Sequence, residues 1–192
     1  MKKKLLVIAL AMGMVASLNG LAQATPATDT VEFNTGYFVP DQASTGIAPY
    51  YRWNGQNWGW NHNAQAGSFS TASLLISAWD VDASSGEVDN IYAYDNGVRT
   101  LLGSLDGANN AWGYTTFSLG SNFFDDIATG LGIEIEIDAN NAGWAVSLAK
   151  SVLALDGGAA PNPNPGRVPE PATMLLMGTG LVGLLGARRK KA

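Results

Sequence analysis

The chain contains no cysteine. Disulfide stapling, thiolate metal sites and cysteine nucleophiles are thereby excluded, and stability has to come from packing. Histidine is almost as scarce. His62 stands alone, without an HExxH helix and without a serine in a G-x-S-x-G turn, so it reads as a loop residue and not as part of a zinc site or triad. Basic charge is thin in the body: between residues 25 and 169 only Arg52, Arg99, Lys150 and Arg167 face fifteen acids, a balance of −11. Such a surface repels nucleic acid, whose phosphates need Lys and Arg, and suits divalent cations or plain solubility. There is no sustained 3.6-residue apolar period, and no internal repeat of roughly 20 to 50 residues. With 23 Gly, six Trp and many Asn, Ser and Thr among 192 residues, what remains is one loop-rich β domain.

Long apolar runs occur only at the two ends. Residues 1–24, "MKKKLLVIALAMGMVASLNGLAQA", join a basic start, an apolar run from Leu5 to Leu18 and the small-x-small triplet Ala22-Gln23-Ala24. That is a secretory signal peptide, cleaved after Ala24, since its apolar core falls short of the roughly 20 residues that span a bilayer. At the other end Ala172 to Ala187 is apolar and carries Gly178, Gly180, Gly183 and Gly186, which permit close helix packing. This reads as a short transmembrane helix, and the cluster Arg188, Arg189, Lys190 and Lys191 behind it as a stop-transfer signal on the cytoplasmic side. Ahead of the helix, Pro169 and Pro171 flank Glu170; two fixed φ angles and two missing donors make this stretch extended and free for a processing enzyme to grip.

Val168-Pro169-Glu170-Pro171, a short glycine-containing apolar helix and a terminal basic cluster, in that order, closely resemble the PEP-CTERM sorting signal of Gram-negative bacteria that make extracellular polysaccharide. The resemblance covers residues 169–192, with its motif at 169–171. It implies a membrane-embedded exosortase as processing partner, transient inner-membrane anchoring, removal of the tail, and delivery to the cell surface or extracellular matrix. Upstream, residues 159–168 form a Pro/Asn linker expected to be a semi-extended spacer.

The folded domain is therefore expected at 25–158. "LGIEIEIDA" alternates Ile133, Ile135 and Ile137 with Glu134, Glu136 and Asp138, which predicts a half-buried strand with an acidic outer face. Asp95-Asn96-Gly97 tolerates positive φ and predicts a hairpin between strands at 90–94 and 98–103. "STASLLISAWDV", "WGYTTFSL" and "GWAVSLAKSVLAL" are further strands. Short strands at roughly ten-residue spacing predict an all-β fold, an antiparallel two-sheet sandwich of jelly-roll type, with the poorly patterned segment 25–67 covering its edges. The pattern from Ser73 to Gly158 also resembles, more loosely, the sandwich domains of secreted bacterial adhesins and exopolysaccharide-associated proteins.

Two stretches carry candidate chemistry. In "WDVDASSGEVDN", Asp80, Asp82, Glu87 and Asp89 crowd one turn, and four carboxylates so close invite solvation or a hard cation such as Ca2+. The turn is not an EF-hand: Gly86 falls at the seventh place and Ile91 occupies the twelfth, where a bidentate glutamate belongs. In "PYYRWNGQNWGWNHN", Trp53, Trp58 and Trp60 among Asn, Gln and Gly suit stacking on sugar rings, or equally a core between the sheets. No carboxylate pair, neither Asp125-Asp126 nor Glu134 with Glu136, is selected as a glycosidase couple. The sequence thus predicts an exported, non-catalytic surface or matrix protein associated with exopolysaccharide and biofilm, with a small secreted carbohydrate-active hydrolase as the alternative.

Overall fold

The computed structural model describes residues 26–33 and 35–165. The expected signal peptide at 1–24, the sorting motif at 169–171, the apolar segment at 172–187 expected to be helical and the basic tail at 188–191 lie outside them. Among the described residues no helix is long and apolar enough to cross a membrane.

Among the described residues there are nine strands and one short α-helix, besides three 3₁₀ turns: β1 (Ala27–Glu32), β2 (Arg52–Trp53), β3 (Trp58–Asn61), β4 (Ala72–Trp79), β5 (Asn90–Asp95), β6 (Val98–Ser104), β7 (Trp112–Leu119), α1 (Phe124–Thr129), β8 (Gly132–Glu136) and β9 (Ala145–Leu155). One sheet has the order β1-β9-β4-β7, with β2 also paired to β9, and the other β3-β8-β5-β6; every pairing is antiparallel. Apart from the two-residue β2, first strand pairs with last, second with next to last, and so inward to the β5–β6 hairpin. This nesting is a jelly roll, the expected fold class.

The hairpin turns where Asn96 takes φ +50° and Gly97 φ +79°, the left-handed pair that a tight connection needs. Alternation supplies the core. Ala72, Leu74, Ile76 and Ala78 of β4 face Trp58, Trp60, Ile91, Ala93, Ile133 and Ile135 of the opposite sheet, all buried. Strand β9 is buried along its whole length. Its register against β4 slips between Ser77 and Ala78, so that Leu148 opposes Ala78 while Ser151, not Lys150, opposes Ile76. The bulge keeps Val146, Leu148, Leu153 and Leu155 on the core side, and it also turns Ser151 inward.

Two local expectations are corrected. Asp138 does not continue the acidic outer face of β8: the strand ends at Glu136, and Asp138, at φ +48°, is fully buried. Its carboxylate accepts from the backbone N–H groups of Ala142, Gly143 and Trp144 and shapes the β8–β9 connection. The Pro/Asn segment, as far as it is described, does not stand away from the domain. The Ser77 hydroxyl donates to the Pro163 carbonyl, and Pro165 is buried.

Candidate functional site

The acidic turn between β4 and β5 brings only part of its four carboxylates together. Asp80, at φ +66°, is occupied: its Oδ2 accepts from the Tyr51 hydroxyl at 2.9 Å and its Oδ1 from the Asn110 N–H at 2.9 Å. Asp82 opens a short 3₁₀ turn and gives its backbone N–H to Glu87 Oε2. Glu87 and Asp89, by contrast, are buried, and Glu87 Oε1 and Asp89 Oδ2 have no hydrogen-bond partner outside this pair. Burial, with the neighbouring Asp89 carboxylate adding to it, pushes Glu87 up to about 9; burial also raises Asp89, against the pull of the Asp138 N–H. Two buried carboxyl groups side by side need a shared proton or a cation. Among the described residues no three Asp, Glu, His or Cys side chains gather as a metal-holding group.

The tryptophans divide in the same way. Trp58 and Trp60 occupy alternate positions of β3, both facing inward, 9% and 5% exposed. They pack edge-on against Phe38, with ring centroids 4.8 and 5.1 Å away. Their side chains belong to the core. Trp53, half exposed, is the member of the set that a ligand can touch.

His62 is the residue whose role spacing concealed. It follows β3, is 1% exposed, and its ring bridges Asp29 of β1 and Ser151 of β9: Nδ1 lies 2.8 Å from Asp29 Oδ2 and Nε2 lies 2.8 Å from Ser151 Oγ. Asp29 further accepts from the Asn63 N–H and side-chain amide. A neutral ring that donates from Nδ1 to Asp29 and accepts at Nε2 from Ser151 satisfies all three groups. Burial pushes His62 down, partly opposed by Asp29, so the ring is held neutral. Burial pushes Asp29 up, but the hydrogen bonds from Asn63 and His62 together outweigh it and hold its carboxyl below the usual range. The order of contacts is that of a nucleophilic triad. Yet Ser151 has no exposed surface, and a hydroxyl sealed between sheets meets no substrate. The trio is a clasp that ties β1 and β9 of one sheet to the residue that follows β3 of the other.

The outer face of the second sheet is polar and laced. Strand alternation puts Tyr92 and Tyr94 of β5, Arg99 of β6 and Glu134 and Glu136 of β8 on it. Tyr92 donates to Glu136 at 2.6 Å, Tyr94 to Glu134 at 2.7 Å, and Arg99 reaches Glu134 at 2.8 Å while its guanidinium sits 3.3 Å from the Tyr92 ring centroid. The Tyr92 hydroxyl holds Glu136 below its usual range, with Asn90 and Arg99 assisting against slight burial.

By fold the protein is an antiparallel jelly-roll sandwich. Its C-terminal residues 167–190 match the family model of the PEP-CTERM protein-sorting motif, so the chain carries that motif. The motif implies processing by an exosortase and delivery out of the cell. No curated protein matches the chain. Among solved structures it is similar to the CBM36-1 domain of a multidomain xylanase from the hindgut metagenome of Trinervitermes trinervoides. That match has 12% identity and a TM-score of 0.38, over 71% of this chain and 100% of the other. It is also similar to the Tobacco streak virus coat protein, at 15% identity and a TM-score of 0.33, over 79% of this chain and 99% of that one.

Proposed function

We propose that the protein is a non-catalytic component of the cell surface or extracellular matrix, which an exosortase releases from a transient inner-membrane anchor and which then associates with exopolysaccharide in a biofilm. The observation that carries this reading is the sorting motif at 167–190, in a chain that begins with a signal-peptide pattern. The acidic, cysteine-free body suits an exported protein that neither binds nucleic acid nor needs oxidative stapling. Fractionation of the producing cells tests it. The mature protein should sediment with the extracellular polysaccharide and be freed when that polysaccharide is digested; a protein found wholly in the polysaccharide-free supernatant contradicts the association.

A small carbohydrate-active hydrolase delivered by the same route is the competing reading, and the Asp29–His62–Ser151 order is the one feature that favours it. The sealed Ser151 hydroxyl argues against it. Reducing-sugar release from host polysaccharide, abolished by Ser151→Ala, would reverse that judgement.

Ca2+ in this reading is held by Glu87 and Asp89, the pair with unpartnered oxygens, and not by Asp80, whose oxygens are spoken for. A cation there would replace the shared proton and stabilise the folded state by mass action. Millimolar CaCl2 should raise the melting temperature of the wild type, EDTA should reverse the rise, and Glu87→Gln should abolish it. A wild type indifferent to calcium removes the metal from the account and leaves the proton-sharing pair.

A further inference from the structure

On the outer face of the second sheet, in-register neighbours form two rows across the strands. One runs Gly59, Glu134, Tyr92; the other runs from Asn61 to Gly132, with Tyr94 next on β5. Glycine recurs where a sheet surface normally carries side chains, at a cost in strand stability. At Gly59 a Cβ would lie 2.8 Å from the Ile133 carbonyl, so close strand approach explains that glycine. Gly132 is different. A Cβ there would meet side chains only, Tyr94 Cδ2 at 3.2 Å and Asn61 Oδ1 at 3.3 Å. The missing side chain lets the tyrosine ring and the amide lie low over β8 together.

The result is an open groove of about 390 Å³, lined among others by Gly59, Gly132, Tyr94, Asn61 and Glu134 and by Asp126 of α1. The groups have complementary capacities. An aromatic ring offers an apolar face, an amide offers both donor and acceptor, and each carboxylate keeps lone pairs beyond the Tyr94, Arg99 and Asn96 donors it already serves. Arg99, the only cation at this face among the described residues, is engaged by Glu134, Glu136 and the Tyr92 ring. An anionic ligand therefore finds two carboxylates and no free positive charge. A neutral, hydroxyl-rich ring finds a stacking surface and acceptors for its hydroxyl protons.

We infer that this groove is a binding site for a neutral hexose polysaccharide, with Tyr94 as the stacking platform and Asn61, Glu134 and Asp126 as hydroxyl partners. The inference rests on the polysaccharide association proposed above and gives it a place, away from the Trp53 loop. Affinity electrophoresis of the secreted protein, run through soluble neutral glucan, mannan, polygalacturonate and the host's own extracellular polysaccharide, tests both levels separately. The wild type should be retarded by a neutral polysaccharide and not by polygalacturonate. Tyr94→Ala and Asn61→Ala should each weaken that binding about tenfold, as expected for loss of one stacking or hydrogen-bonding contact, in protein that still shows a cooperative melt, while Tyr94→Phe retains most of it. Equal retardation of wild type and both alanine variants overturns the site and leaves the association standing. Retardation by polygalacturonate alone overturns the neutral-ligand assignment. No retardation by any of the four, the host polysaccharide included, overturns the site together with the association on which it rests.

Discussion

Replacing Pro169, Glu170 and Pro171 with alanine should leave the chain full-length from Thr25 onward and held in the inner membrane, with none in the medium or matrix. The physical reason is conformational. Alanine restores two backbone donors and is the best helix former, so the replaced segment favours helix over the extended form that the two prolines impose. The replacement changes nothing in residues 26–33 and 35–165, so the domain should melt as before. Immunoblotting of membrane and extracellular fractions reads the result. Release equal to that of the wild type would mean that the three residues are not the recognised element.

His62→Ala should destabilise the domain by about 3 kcal/mol, the joint cost of a cavity and of leaving one buried hydroxyl without a partner. Asp29 would keep its Asn63 bonds, but Ser151 would be left in the core with an unanswered hydroxyl. A pH signature separates the clasp from simple loss of volume. The neutral ring is favoured in the folded state, where its pKa lies below the usual 6.5. Below pH 6.5 the unfolded chain therefore takes up a proton that the folded chain refuses, and the His62 contribution to stability falls until the folded pKa is reached. Asp29 acts in the same sense at lower pH: its folded pKa is depressed below 3.8, so its contribution is present above that value and is lost as pH falls through the folded one. The stability difference between wild type and His62→Ala should thus shrink on going from pH 7 to pH 5, as denaturant melts at each pH would record. A difference independent of pH would show that the ring contributes volume and nothing more.

Much of the sandwich was legible because its strands obey period two. The Ile133, Ile135 alternation, the Asn96-Gly97 turn and the apolar runs of β4 and β9 each coincide with an observed element. The edges were not legible. Strand β1 is polar at most positions, and β3 has the composition of a ligand loop, so segment 25–67 looked unpatterned although it supplies one edge strand to each sheet. A usable signal was present in "WGWN": tryptophan at alternate positions, with glycine and asparagine between, is strand alternation with its large side chains on one face. Asp138 was misplaced because its alternation with Glu134 and Glu136 outlasts the strand by two residues.

The candidate sites were less legible than the fold. Asp29, His62 and Ser151 are separated by 33 and 89 residues along the chain, and only nested strand pairing and a bulge in β9 bring them together. Spacing within the sequence cannot reveal such a trio. The groove over Gly132 was hidden for a related reason, since its tyrosine, amide and carboxylates come from three strands and a helix, none carrying a motif of its own. The sorting signal was legible because it is linear: its order of prolines, apolar run and basic cluster works without a fold.

The central claim, a removable address on a delivered domain, is tested most directly by the intact mass of the wild-type protein recovered from the extracellular fraction of its own host. The account predicts a species that lacks residues 1–24 and has lost the apolar stretch 172–187 together with the basic cluster behind it. A product that retains Ala172 to Ala192, found only in the membrane, would contradict it.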